Sequence, residues 1–135
     1  MTFLKSITVA VLGMAITLGL GCKKTIFTPP KMNFIIGTGY ISSDATVSRN
    51  QTIKIGIIAD KVKEDMNTFH VSYSYDNAFG STITQTFALT GTEQQHFEKD
   101  ITFNTRNITG TEKWYFTVTD KGGNVAEKLV ILTIP

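Results

Sequence analysis

The feature that most constrains the fold of this chain is an alternation of apolar and polar side chains along residues 68–75. Phe69, Val71, Tyr73 and Tyr75 fall on one face of an extended segment, and the residues between them are Thr, His and Ser. Successive side chains of a β-strand point to opposite faces, so a period of two predicts a strand with one buried face. No segment after residue 33 has the period of an amphipathic helix. The body of the chain is therefore predicted to be all-β.

Six further segments share this character, being rich in Thr, Ile, Phe, Val and Tyr and separated by turn residues. They are a short strand within 33–41 and longer strands at 51–59, 82–89, 95–103, 113–120 and 125–134. The residues expected to face inward include Ile53, Ile55, Ile57, Ile83, Phe87, Leu89, Phe97, Ile101, Phe103, Trp114, Phe116 and Val118. About seven short antiparallel strands without a helix predict a β-sandwich.

Length and charge limit the classes of protein to consider. The chain has 135 residues, enough for one domain. Its 13 basic and 11 acidic residues are nearly balanced, so we expect no nucleic-acid partner, which would require a basic face. The single cysteine excludes an internal disulfide, so packing alone must stabilise the domain.

The N-terminal segment has the composition of an export signal. Lys5 precedes an uncharged and largely apolar run of 14 residues at positions 7–20. As a helix this run would span about 21 Å, which is short of the roughly 30 Å hydrocarbon core of a membrane. We therefore predict a signal peptide at residues 1–21, with a retained signal anchor as the alternative.

The five residues Leu18-Gly19-Leu20-Gly21-Cys22 resemble the lipobox of bacterial lipoproteins, in which a peptidase cleaves before a cysteine that carries diacylglycerol. Gly21 and the sole cysteine match this pattern, whereas Gly19 stands where the family usually has leucine. The resemblance implies a lipid on Cys22, a membrane as partner, and a place in the cell envelope. Ordinary signal cleavage, which would leave Cys22 as a free thiol, is a further alternative.

Residues 23–31, KKTIFTPPK, have the composition of a short tether, because Pro29-Pro30 favours an extended polyproline II conformation. The residue after the cysteine is Lys23, whereas an aspartate there is a familiar signal for retention in the inner membrane. The lipoprotein resemblance therefore favours the outer membrane. We expect three parts: the signal peptide at 1–21, a lipidated tether at 22–32 and a β domain at 33–135.

Residues 110–124, GTEKWYFTVTDKGGN, resemble the last hairpin of bacterial immunoglobulin-like domains. In that family a Gly-Thr-aromatic lead-in precedes a strand that ends in Val-Thr-Asp, and a Gly-Asn turn follows. The resemblance implies an immunoglobulin-like sandwich and says little about function, because sandwiches have unrelated functions.

No pattern of catalytic residues is found in the sequence. A Gly-x-Ser-x-Gly elbow and a Ser-x-x-Lys signature are both missing. His70 and His96 alternate with polar residues, which predicts that both lie on solvated strand faces. We expect a protein that is not an enzyme and needs no cofactor.

Metal binding has little support in the sequence. No histidine or cysteine pair has the spacing of a zinc site. Asp120 and Asn124 are weak calcium candidates, with Asp44 or Asp76 as further oxygen donors. Capping of the turn after residue 120 is the preferred interpretation.

Three aromatic residues are candidates for contact with a partner. Alternation places Tyr115 on the outer face of its strand, Phe79 falls in a turn, and Tyr40 follows a glycine-rich stretch. Such side chains can stack on sugar rings or anchor a protein partner, or they can pack against a neighbouring loop. The hypothesis is a non-catalytic binding or structural module for a protein or glycan. The alternatives are an accessory or carbohydrate-binding partner of an envelope polysaccharide-processing enzyme, and a calcium-stabilised adhesin.

Overall fold

The computed structural model describes residues 26–135. The predicted signal peptide at 1–21 and the lipid site at Cys22 lie outside this part of the chain. Within residues 26–135, no helix has the length and hydrophobicity to cross a membrane.

Residues 26–135 form eight strands and one short 3₁₀ helix. The strands are β1 (Lys31–Phe34), β2 (Ala45–Thr46), β3 (Thr52–Asp60), β4 (Met66–Tyr75), β5 (Thr82–Ala88), β6 (His96–Asn104), β7 (Gly110–Asp120) and β8 (Val125–Ile134). The 3₁₀ helix, Gly91–Gln94, lies between β5 and β6. The six longer strands lie within a few residues of the predicted segments, and β1 begins inside the stretch that the sequence assigned to the tether.

The strands form two sheets, one of three strands in the order β1-β3-β6 and one of five in the order β2-β8-β7-β4-β5. The chain crosses between them five times, after β1, β2, β3, β5 and β6, as in Greek-key sandwiches. The predicted immunoglobulin-like sandwich is confirmed. Its eighth strand is β2, which pairs with β8 in parallel and is too short to show an alternating pattern.

The core lies between the sheets and follows the alternation of the strands. Every second residue of β7 from Glu112 to Asp120 is buried, and so are three of the four isoleucines of β3, Ile53, Ile55 and Ile57. Trp114 packs across the core against Phe103 of the opposite sheet, with ring centroids 3.5 Å apart. Burial of aromatic and branched side chains in this layer supplies the main stabilising free energy, since the described residues hold no disulfide.

One predicted core residue lies outside the core. Ile83 was expected to face inward with Phe87, but it is 60% exposed. Val71 pairs with Gln85 and the next residue, Ser72, pairs with Ile83, so Thr84 is an extra residue in β5. This β-bulge reverses the side-chain phase, and Ile83 therefore points to the outer face of the five-stranded sheet.

The chain enters the sandwich at one of its two ends. Lys31, the first residue of β1, pairs with Asp60, the last residue of β3, so the chain enters the sandwich at the end where β3 finishes. We call this the proximal end. β4 runs away from it, and its ten residues extend about 33 Å. The turn between β4 and β5 therefore lies at the opposite, distal end.

Candidate binding surface at the distal end

Phe79 lies on the turn between β4 and β5 and is fully exposed, with a relative accessibility of 106%. The turn bends sharply because Asp76 and Gly80 both have positive φ angles, of 53° and 80°. A glycine adopts such an angle without steric cost, and an aspartate adopts it more readily than most residues. The turn thus presents an aromatic side chain to solvent at the distal end.

A cavity of about 210 Å³ lies beside Phe79. Residues 73–75 of β4 and 78–82 of the turn and β5 line it. Tyr73 and Tyr75 are two residues apart on the same face of β4, and their rings stack with centroids 4.5 Å apart. The hydroxyl side chains of Ser81 and Thr82 complete the lining, which includes no charged residue.

Packing holds the tyrosine wall of this cavity in place. Tyr73 contacts Trp114 with ring centroids 5.4 Å apart, and Trp114 stacks on Phe103. The four rings form a continuous series from the core to the distal surface. Side chains packed on both faces keep few alternative rotamers, so the wall is rigid, whereas Phe79 has no such support.

Arg106 covers the outer tyrosine. Its guanidinium carbon lies 4.0 Å from the ring centre of Tyr75, a cation–π contact. The same guanidinium donates hydrogen bonds to the Asp76 carboxylate and to the backbone oxygen of Thr111. The hydrogen bond from Arg106 lowers the pKa of Asp76 below its ordinary value, and burial raises the pKa of Tyr75. Arg106 and Asp76 therefore form an ion pair at this edge.

Glu112 anchors the network from inside and is fully buried. Its carboxylate accepts hydrogen bonds from the backbone N–H of Arg106 at 2.7 Å, from Arg106 Nε at 3.3 Å and from Trp114 Nε1 at 3.0 Å. Glu112 was not among the candidate residues predicted from the sequence. The alternation along β7 could have identified it, because Glu112 has the inward phase of Trp114 and a buried carboxylate requires hydrogen-bond partners.

Gly110 lets the strand start close to the turn. It has a φ of 151°, and a Cβ there would overlap the Asp76 carboxylate. With no side chain at Gly110, Asp76 accepts the backbone N–H of Thr111 at 2.8 Å. The Gly-Thr pair at the start of β7 thus joins the β4–β5 turn to the loop before β7.

Tyr115 lies on a different surface, the outer face of the five-stranded sheet. It pairs with Ser72 on β4 and Leu129 on β8, and Ser72 pairs with Ile83 on β5. These four side chains form one row across the sheet. Ser72 is only 7% exposed although it faces outward, because its larger neighbours in the row cover it.

Tyr40 lies on the outer face of the three-stranded sheet. Its hydroxyl donates to the Asp100 carboxylate at 3.0 Å, and Lys54 Nζ lies 4.5 Å from the centre of its ring. Gly56 lies beneath the ring and leaves room for it. The three candidate aromatics therefore lie on three separate surfaces, and the structure does not bring them together.

The weak calcium candidates are engaged in the turn after β7. Asp120 is 2% exposed, and its two oxygens accept hydrogen bonds from the backbone N–H and side-chain amide of Asn124, both at 2.8 Å. Asp76 lies near the other end of β7, and Asp44 accepts the backbone N–H of Ile131 on β8. Within residues 26–135, no cluster of three or more His, Cys, Asp or Glu side chains is arranged to hold a metal ion.

The acidic and histidine side chains are dispersed over the sandwich. Glu112 and Asp120, both buried, are separated by eight residues along β7, or about 26 Å, which exceeds the spacing of a glycosidase carboxylate pair. His70 contacts Thr86 on the outer face of the five-stranded sheet, and His96 contacts Asp60 at the proximal end. Neither arrangement resembles a catalytic site with a nucleophile and a base.

No protein-family model matches the sequence, and no curated protein matches it. Among solved structures, a chitin-binding domain from Burkholderia pseudomallei is similar, with a TM-score of 0.51 and 10% identity over 70% of this chain. The chain spans 58% of the length of that domain. The structure of murine CRIg has a TM-score of 0.42 and 10% identity, covering 80% of this chain and 99% of CRIg. The first likeness concerns the fold alone.

Proposed function

We propose that this protein is a lipoprotein of the bacterial cell envelope whose immunoglobulin-like domain is a non-catalytic binding module. Lipid on Cys22 would hold it at the outer membrane, and the distal end of the sandwich would contact a protein or glycan partner. Two or three acyl chains on one cysteine are sufficient for stable anchoring.

The observation that carries this proposal is the position of Phe79. It is fully exposed at the end of the sandwich opposite to the one where β1 begins. A chain anchored through its N-terminal segment would therefore present this side chain about 33 Å from the point where the tether joins the domain. A solvent-exposed phenylalanine at such a place can anchor a partner, because covering its ring removes a large apolar area from water.

The fold and the polar groups support a binding role over a catalytic one. The buried carboxylates are separated along β7, and the two histidines lie on different sheets. Loops on a rigid sandwich are common binding sites. The similar structure from Burkholderia pseudomallei is itself a binding domain by name.

The anchoring part is tested by metabolic labelling with an alkynyl palmitate analogue in a bacterial host. We expect label on the wild-type protein and none on the Cys22→Ala variant, and the mature wild-type chain should begin at residue 22. Density-gradient separation of the two membranes then tests the location. Unlabelled wild-type protein, or a mature chain with another first residue, would refute the lipidated anchor.

The binding part is tested with the mature protein held by its lipid on a supported bilayer. Membrane-free extract of envelopes is passed over it, and the bound mass is recorded for wild type, Phe79→Ala and Ile36→Ala. Ile36 is 86% exposed and follows β1 of the three-stranded sheet, whereas the β4–β5 turn joins strands of the five-stranded sheet, so it is a matched control. We expect Phe79→Ala to reduce binding about tenfold and Ile36→Ala to leave it unchanged. Equal binding by all three proteins would exclude Phe79 as the contact.

A further inference from the structure

The cavity beside Phe79 has the size and chemistry of a site for one small ring. Its volume of about 210 Å³ equals roughly seven water molecules at about 30 Å³ each. Pockets for drug-sized ligands are typically about 300–1,000 Å³, so this one is smaller. Its volume suits a single six-membered ring of a longer molecule.

The lining selects an uncharged ligand. All eight lining residues are neutral, and three of them are aromatic. Arg106, the cation that contacts the Tyr75 ring, is engaged by the carboxylates of Asp76 and Glu112 and is only 17% exposed. The lining itself therefore offers neither an anionic nor a cationic ligand a charge to pair with.

The arrangement of the lining suits a molecule with one apolar face and a hydroxylated rim. Phe79 has an open ring face, whereas the rings of Tyr73 and Tyr75 stack on each other. Ser81 and Thr82 supply hydroxyl groups at the rim, and each can donate or accept a hydrogen bond. A pyranose ring presents axial C–H groups on one face and hydroxyls around its edge, which matches this division between an aromatic face and polar edges.

We propose that the distal cavity binds one pyranose ring of a neutral saccharide, with Phe79 stacking on the ring and the hydroxyls of Ser81 and Thr82 bonding to its edge. This inference rests on the proposed function and specifies the ligand class of the same site. The partner would be a neutral glycan chain that reaches the distal end of the anchored domain.

The test is an NMR titration of the isotope-labelled mature protein in nanodiscs. The probes are cellotriose and the β-1,4-linked trimer of N-acetylglucosamine, with trigalacturonate as an anionic control of equal length. We expect at least one neutral trimer to shift amide signals of residues 73–82, and trigalacturonate to leave them in place. Shifts confined to the Tyr115 row or to the Tyr40 surface would overturn the assignment, and so would an equal response to the anionic trimer.

Variants define the stacking contact. Phe79→Ala should weaken binding of the active trimer about tenfold, and Phe79→Tyr should keep it within about threefold, because the ring remains. Ile108→Ala changes an exposed side chain on the neighbouring loop and should have no effect. If Phe79→Ala left the affinity for the trimer unaltered, the stacking role would be wrong.

Two assays together separate failure of this inference from failure of the proposed function. If Phe79→Ala abolishes binding of the envelope extract while neither neutral trimer shifts residues 73–82, the saccharide is wrong and the binding module stands. If Phe79→Ala leaves binding of the extract unchanged, the distal contact itself is wrong.

Discussion

Replacing Glu112 with alanine should lower the free energy of unfolding by about 3–4 kcal/mol. The carboxylate is fully buried and accepts hydrogen bonds from Trp114 Nε1, from the Arg106 backbone N–H and from Arg106 Nε. A buried donor that loses its acceptor costs about 1–3 kcal/mol, and two such donors remain after the substitution. The Arg106 charge adds less, because Asp76 still pairs with it. For a domain of this size the loss corresponds to a fall in Tm of about 12–16 °C.

Urea unfolding followed by tryptophan fluorescence measures this change directly, since Trp114 is the sole tryptophan and contacts Glu112. Glu127→Ala is the matched control, because Glu127 is exposed and bonds only to the Thr117 hydroxyl among the described residues. The control should unfold at the wild-type midpoint. A loss below about 1 kcal/mol for Glu112→Ala would refute the reasoning, because it would mean that water replaces the carboxylate at little cost.

Three further outcomes follow from the packing and charges of the sandwich. Gly56→Ala should destabilise the domain by about 1–3 kcal/mol in urea unfolding, because its new Cβ would lie 2.8 Å from the Cβ of Ile35; wild-type stability would show that this segment moves away freely. The hydrogen bond with Asp60 raises the pKa of His96 above its ordinary 6.5. The stabilisation that protonated His96 contributes is therefore fully present below pH 6.5 and is lost as the pH rises through the raised pKa. Measurements of Tm against pH should show this loss for the wild type and not for His96→Gln. Phe79→Ala should change the free energy of unfolding by less than about 0.5 kcal/mol, because the ring is fully exposed, and a larger loss would show that it packs in solution.

The strands and their inward faces were predictable because each depends on local sequence. The alternation of Phe69, Val71 and Tyr73 sets the buried face of β4 whatever lies opposite. Ile83 shows the limit of this reasoning. Its face depends on a bulge at Thr84, and a bulge is defined only by pairing with another strand.

One residue of the candidate site could be predicted from the sequence, and its surroundings could not. Phe79 was identified because a large apolar side chain in a turn has no local reason to be there. Its relation to Tyr73 and Tyr75 depends on how the turn closes back over β4, which local patterns do not encode. Tyr40 and Tyr115 met the same criterion for exposure, and only the packing of the two sheets places them on opposite faces of the sandwich.

By itself the sequence determined the class of fold, because a period of two with frequent turns permits sheets and excludes helices. It also predicts the lipid anchor, which depends on a short linear motif. Only the tertiary structure decided that Glu112, Arg106 and Asp76 form one network and that Phe79 lies opposite the entry of the tether. These relations join residues from different strands and loops, and their free energy arises from contacts that exist only after the sheets have packed.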